Sequence, residues 1–174
     1  MRATALAGGL FNQLDQTARN LLPFSVTVLA MLVGMVPLPL PGYAMVTVPF
    51  MLMCLFYWVI HRPDLLRPIV VFVVGLLQDL IGGTPMGMTS MVLILAYWLL
   101  ITQRRFFLGR SFLMLWIGFA LVATGSAAVQ WAVFALMTAS VLDARPVLVQ
   151  ALLGVALFPL MAWLLQRLHR AYLS

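Results

Sequence analysis

Among the four acidic residues of this 174-residue chain, Asp79 alone falls inside a long apolar run. An ionisable group within such a run is costly in lipid and normally faces protein or a water-filled cavity. Gly75 and Gly82 share its face at helical spacing, and Gln78 precedes it. Two readings stay open. One is a helix-contact, partner-binding, proton or ion site. The other is a helix cap or structural hydrogen bond near an interface. Asp143 and Arg145 fall in a later polar gap that the membrane topology below puts on the same side. An Asp79–Arg145 ion pair is one expectation; the alternative is that Asp143 and Arg145 simply mark the interface.

Other chemistry is thinly represented. His61 and His169 each sit beside Arg, with no Cys or Glu at ligand spacing, so no metal site is expected. Cys54 is the only cysteine and lies in an apolar run, which excludes an internal disulfide. There is no Ser-His-Asp set, no pair of carboxylates in one run, no GxGxxG and no P-loop. No catalytic residue and no cofactor is therefore expected. Gly118, Gly125, Ala128 and Ala132 run roughly along one side of a later apolar stretch, with Ser126 and Gln130 beside them. Small residues let helices approach closely in lipid, either within a bundle or against a partner's helix.

The elements that position these residues follow from composition. The chain is 64% hydrophobic and 8% charged, against about 45–50% and about 25% in soluble domains. Lipid has to be part of its solvent, in a single compact membrane domain. The formal charge of +6 comes wholly from Arg in short gaps between apolar runs. That distribution orients a membrane protein and argues against a nucleic-acid partner.

Residues 1–20 read as an amphipathic interfacial segment, with Leu6, Leu10, Leu14 and Ala18 on one stripe. The transmembrane domain occupies 21–174, with spans at about 21–38, 44–60, 66–81, 86–102, 112–142 and 147–166. Pro49 is expected to kink the second and Pro159 lies inside the sixth. The gaps holding Arg2 and Arg19, Arg62 and Arg67, Arg104 to Arg110, and Arg167 and Arg170 alternate with gaps whose only basic residue is Arg145. Positive gaps stay inside, so both termini are cytoplasmic. The fold class is then an all-α, six-transmembrane-helix bundle with an interfacial N-terminal helix. Trp58, Tyr97, Trp98, Trp163 and Tyr172 fall near cytoplasmic span ends, where interface anchors are expected.

Two stretches carry a family resemblance. One is Tyr57-Trp58-Val59-Ile60-His61-Arg62-Pro63-Asp64, an aromatic span end before a basic-Pro loop. The other contains Gly75-Leu76-Leu77-Gln78-Asp79-Leu80-Ile81-Gly82-Gly83-Thr84-Pro85-Met86-Gly87. Together they resemble the rod shape-determining protein MreD family of bacteria, and outside 57–87 the match is one of hydropathy. The resemblance implies an inner-membrane member of the elongasome with no enzymatic activity. It implies MreC as the close partner, with MreB, RodA, penicillin-binding protein 2 and RodZ in the wider assembly. It also implies a six-helix arrangement similar to the substrate-binding subunits of energy-coupling-factor vitamin transporters.

The residues fit a scaffold in that setting. Gly75, Gly82, Gly83, Pro85 and Gly87 would let spans three and four pack closely and turn sharply around Gln78 and Asp79. The arginine rim suits anionic lipid, and self-association stays open. A competing reading is a substrate-binding transport subunit for a small vitamin-like molecule, which needs a deep polar-lined cavity. Gln78, Asp79, Thr124, Ser126, Gln130 and Thr138 are the groups counted toward one. A lipid-handling enzyme lacks the acid, base and nucleophile it would need.

Overall fold

A computed structural model of the chain describes residues 24–36, 47–64, 66–138 and 143–172, except the side chains of 169, 171 and 172. The expected interfacial segment 1–20 and the prolines at 37–41 lie outside these residues. Six helices and no strand occur among the described residues: α1 Phe24–Gly34, α2 Phe50–His61, α3 Pro68–Gly82, α4 Met88–Phe107, α5 Phe112–Thr138 and α6 Arg145–Tyr172.

α2 forms the centre. Its sequence, FMLMCLFYWVIH, has no polar face, and Met51 through Ile60 are all buried. A helix that is apolar all round has no wet side and is kept from water by protein or by lipid; here it is its neighbouring helices that enclose it. α4 and α6 pack along it, and α5 touches it more briefly. Phe56 anchors the arrangement, meeting Phe107, Phe119 and Phe158 edge-on at centroid distances of 5.9, 5.5 and 5.5 Å. Such aromatic pairs add specificity to simple burial.

Pro49 does not kink a longer helix. It stands as the residue just before α2, and residues 47–49 are not helical. Proline has no N–H to give and its ring disfavours helix in the residue before it, so the helix starts after it. α2 therefore has 12 residues, about 18 Å at ~1.5 Å per residue. Its Cys54 is buried among apolar neighbours.

α4 runs past the expected end at 102 to Phe107. Arg104 and Arg105 occupy its last turn, where cations oppose the negative end of the helix dipole. The Nε of Arg104 donates to the Ile60 carbonyl at 3.0 Å, so it also satisfies a carbonyl in the last turn of α2.

α5 and α6 are long and apolar enough to cross a membrane, over Phe112–Thr138 and Arg145–Leu168, and only 22% of each apolar window is buried. The core helix of a soluble protein would be mostly enclosed. Here Leu121, Leu136, Leu152 and Leu160 point outward, as lipid-facing side chains do. Pro159 leaves the Val155 carbonyl without its helical donor. The indole N–H of Trp116 on α5 fills that place at 2.8 Å and clasps the two helices together.

Two of the expected interface anchors are core residues. Trp58 is completely buried and Tyr97 nearly so, whereas Trp98 and Trp163 are exposed. Trp58 lies on the enclosed central helix, and Tyr97 lies on the buried stripe of α4 that includes Leu93, Ala96 and Leu100. The side chain of Tyr172 lies outside the description.

Candidate functional site

α3 and α4 form a hairpin closed by Gly83 to Gly87, and Asp79 sits beneath the turn with 1% of its surface exposed. Its two carboxylate oxygens are fully engaged. Oδ1 accepts from the Thr84 hydroxyl at 2.8 Å and from the Thr89 amide at 3.1 Å. Oδ2 accepts from the Gly87 amide at 2.9 Å and from the Thr89 amide at 3.2 Å. Gly87 is the N-cap residue of α4 and Thr89 lies in its first turn. The free amides of a helix start, with the positive end of its dipole, favour a carboxylate. Here the cap reaches across from the preceding helix instead of from the N-cap residue itself.

The glycines around it do different work. Gly83 closes α3 at φ +67° and Gly87 opens α4 at φ +89°, a left-handed backbone that favours glycine. Gly75 is the point of closest approach: a Cβ there would lie 2.8 Å from the Cα of Ser90. Ser90 in turn donates its hydroxyl to the Phe72 carbonyl at 3.2 Å. Gly82 has open space where a Cβ would be, and the Pro85 carbonyl accepts the Met88 amide at 3.2 Å. Thr84, Thr89 and Ser90 complete this clamp and were not anticipated. Their signal is the hydroxyls that follow an isolated acid, Thr84 in the turn five residues on and Thr89-Ser90 at the start of α4.

The structure does not bring Asp79 and Arg145 together. Arg145 is the first residue of α6; its amide donates to Asp143 Oδ1 at 3.1 Å and its Nε lies 3.9 Å from the same oxygen. Those two side chains are 80% and 66% exposed, so the pair is a solvated one of small energetic weight. Asp79 is enclosed and satisfied by donors of its own hairpin.

The small residues of α5 divide between two surroundings. Gly118 is buried and packs against the ring of Phe107. Gly125 has open space above it, and Ala128 and Ala132 are exposed. Gly125 lies in an apolar hollow of about 200 Å³ between α4 and α5, walled by Leu95, Leu99 and Leu121. The two sets are thus an internal contact and an outward face. Gln78 departs from its neighbour Asp79: its side-chain oxygen is buried with no hydrogen-bond partner, and it lines a cavity at the glycine-rich end of the bundle. His61 stacks on Tyr57 at 4.3 Å, with Nδ1 2.9 Å from the Tyr57 carbonyl.

No curated protein and no solved structure matches the chain significantly. The family model for rod shape-determining protein MreD matches residues 15–168. That match contains both motif stretches, the Asp79 hairpin and nearly all of the six described helices. With so much of its length accounted for by one model, the chain belongs to the rod shape-determining protein MreD family, a membrane family of the rod-shape machinery.

Proposed function

We propose that this chain is a non-enzymatic scaffold of the elongasome, crossing the inner membrane six times with both ends in the cytoplasm. It docks the single transmembrane helix of MreC and so helps to position side-wall peptidoglycan synthesis by RodA and penicillin-binding protein 2. MreB and RodZ meet the assembly from the cytoplasmic side, where the arginine rim also holds anionic lipid. The observation that carries the reading is the unfilled hollow at Gly125, bordered by the outward face that continues through Ala128 and Ala132. In lipid, where apolar burial gives little drive, a close-approach surface of small residues is what helix association requires. The Asp79 hairpin, with Gly82 and Pro85 at its turn, holds α4 in the orientation that forms one wall of this hollow.

The test is co-purification of MreC from membranes expressing the Gly125→Leu variant. A Cβ at Gly125 meets nothing within 4 Å, so leucine enters the hollow without displacing a neighbour, and the expected result is loss of MreC with unchanged monomer yield. Retention of MreC at the wild-type level would remove this face as the docking site.

A further inference from the structure

Three carboxamides from three helices converge on one space at the glycine-rich end. Gln78 of α3, Gln130 of α5 and Gln150 of α6 line both a small hollow of about 60 Å³ and an adjoining cavity of about 570 Å³. Ser126 adds a hydroxyl to the smaller space, and Trp131 and Phe134 add aromatic wall to the larger. The Gln78 oxygen is buried with no hydrogen-bond partner. Among the described residues Gln130, Gln150 and Ser126 likewise form no side-chain hydrogen bond.

A buried amide left unpaired is costly, and costlier still in a lipid-embedded bundle. The Gln78 oxygen is the buried one; Gln130 and Gln150 are half-buried and face the same cavity, so three carboxamides without protein partners describe a surface shaped for something that arrives from outside. Their chemistry says what. A carboxamide offers a donor and an acceptor side by side, which matches groups that do both, hydroxyls and amides. Among the described lining residues the charged side chain is Asp143, which already accepts from Arg145 and is largely exposed, so the described wall favours an uncharged ligand. Aromatic rings beside carboxamides suit a ligand with an apolar C–H face and a polar rim. A cavity of about 570 Å³ lies within the roughly 300–1,000 Å³ range of small-molecule sites.

We propose that this cavity binds an uncharged polyhydroxylated group, a sugar ring. Either a free saccharide or a glycolipid headgroup whose chains stay in the bilayer would present it. The inference concerns a different space from the hollow at Gly125 proposed to dock MreC, although Ser126 borders both that hollow and the smaller carboxamide-lined one.

The test is titration of the full chain in lipid nanodiscs, following tryptophan emission. One arm adds free glucose or N-acetylglucosamine; the other builds monoglucosyl diacylglycerol into the disc. The expected result is a saturable change in one arm or both. Saturation with the free sugars assigns a soluble ligand; saturation with the glycolipid alone assigns a headgroup. Gln130→Leu and Gln150→Leu are each expected to weaken it about tenfold, the loss of one good hydrogen bond. Their melting temperatures should be no lower than wild type, because each replaces an unpartnered amide by an apolar group. Gln78→Met serves the same comparison should either fold poorly. No saturable change with any probe, or equal saturation in wild type and variants, would overturn the proposal. MreC co-purification from the same variants reads out the scaffold independently.

Discussion

Asp79 shows how one residue serves a whole hairpin. Removing its carboxylate strands the buried Thr89 amide and the half-buried Gly87 amide, while the exposed Thr84 hydroxyl can turn to water. Each buried donor so stranded costs about 1–3 kcal/mol. Asp79→Ala is expected to destabilise the protein by at least about 2 kcal/mol, allowing for relaxation of the turn. Thermal unfolding in detergent measures this, and an unchanged midpoint would show that the clamp contributes nothing. The sequence marked Asp79 as unusual because a lone acid stands out in an apolar run. It could not show whether that acid was satisfied, since the donors lie five to ten residues on, across a turn. Glycine is similarly ambiguous in sequence: Gly75 and Gly82 have the same spacing logic, yet a Cβ at one would press on Ser90 and at the other would meet open space.

At the scale of elements, the α5–α6 pair is tied by an exchange between a missing donor and a spare one. Pro159 deprives the Val155 carbonyl of its helical partner, and Trp116 supplies an indole N–H at 2.8 Å. Trp116→Phe is expected to cost about 1–2 kcal/mol, since the carbonyl is left without a donor. In a Pro159→Ala background the backbone N–H is restored and the same substitution should cost clearly less. A double-mutant cycle measured by unfolding tests this; strict additivity would mean the two residues are not coupled. Periodicity and length made the long helices legible. Pro49 was legible as a disruption but misplaced, because a proline that ends a helix and one that bends it look alike until the preceding residues are seen.

For the molecule as a whole, the proposed orientation rests on where the arginines fall along the chain. Among the described residues the arginines other than Arg145 fall at the close of α2 and start of α3, the close of α4 and start of α5, and the close of α6. Reporter fusions within the Arg104–Arg110 turn are expected to read as cytoplasmic, and fusions at Thr84 as outside. The reverse pattern would invert the membrane topology. That the chain lives in lipid, is helical, and belongs with the rod-shape family was readable from its residues alone. Composition, the arginine gaps and the motif around Asp79 are properties of the chain in order. What only the tertiary structure decided is which side chains share a space: Trp58 at the centre instead of at an interface, Asp79 with Thr84 and Thr89 instead of with Arg145, and three glutamines from distant helices around one cavity. The physical reason is that hydropathy acts on each segment separately, whereas hydrogen bonds and close packing depend on how helices rotate and meet. In a chain apolar on nearly every face, periodicity carries little of that rotation.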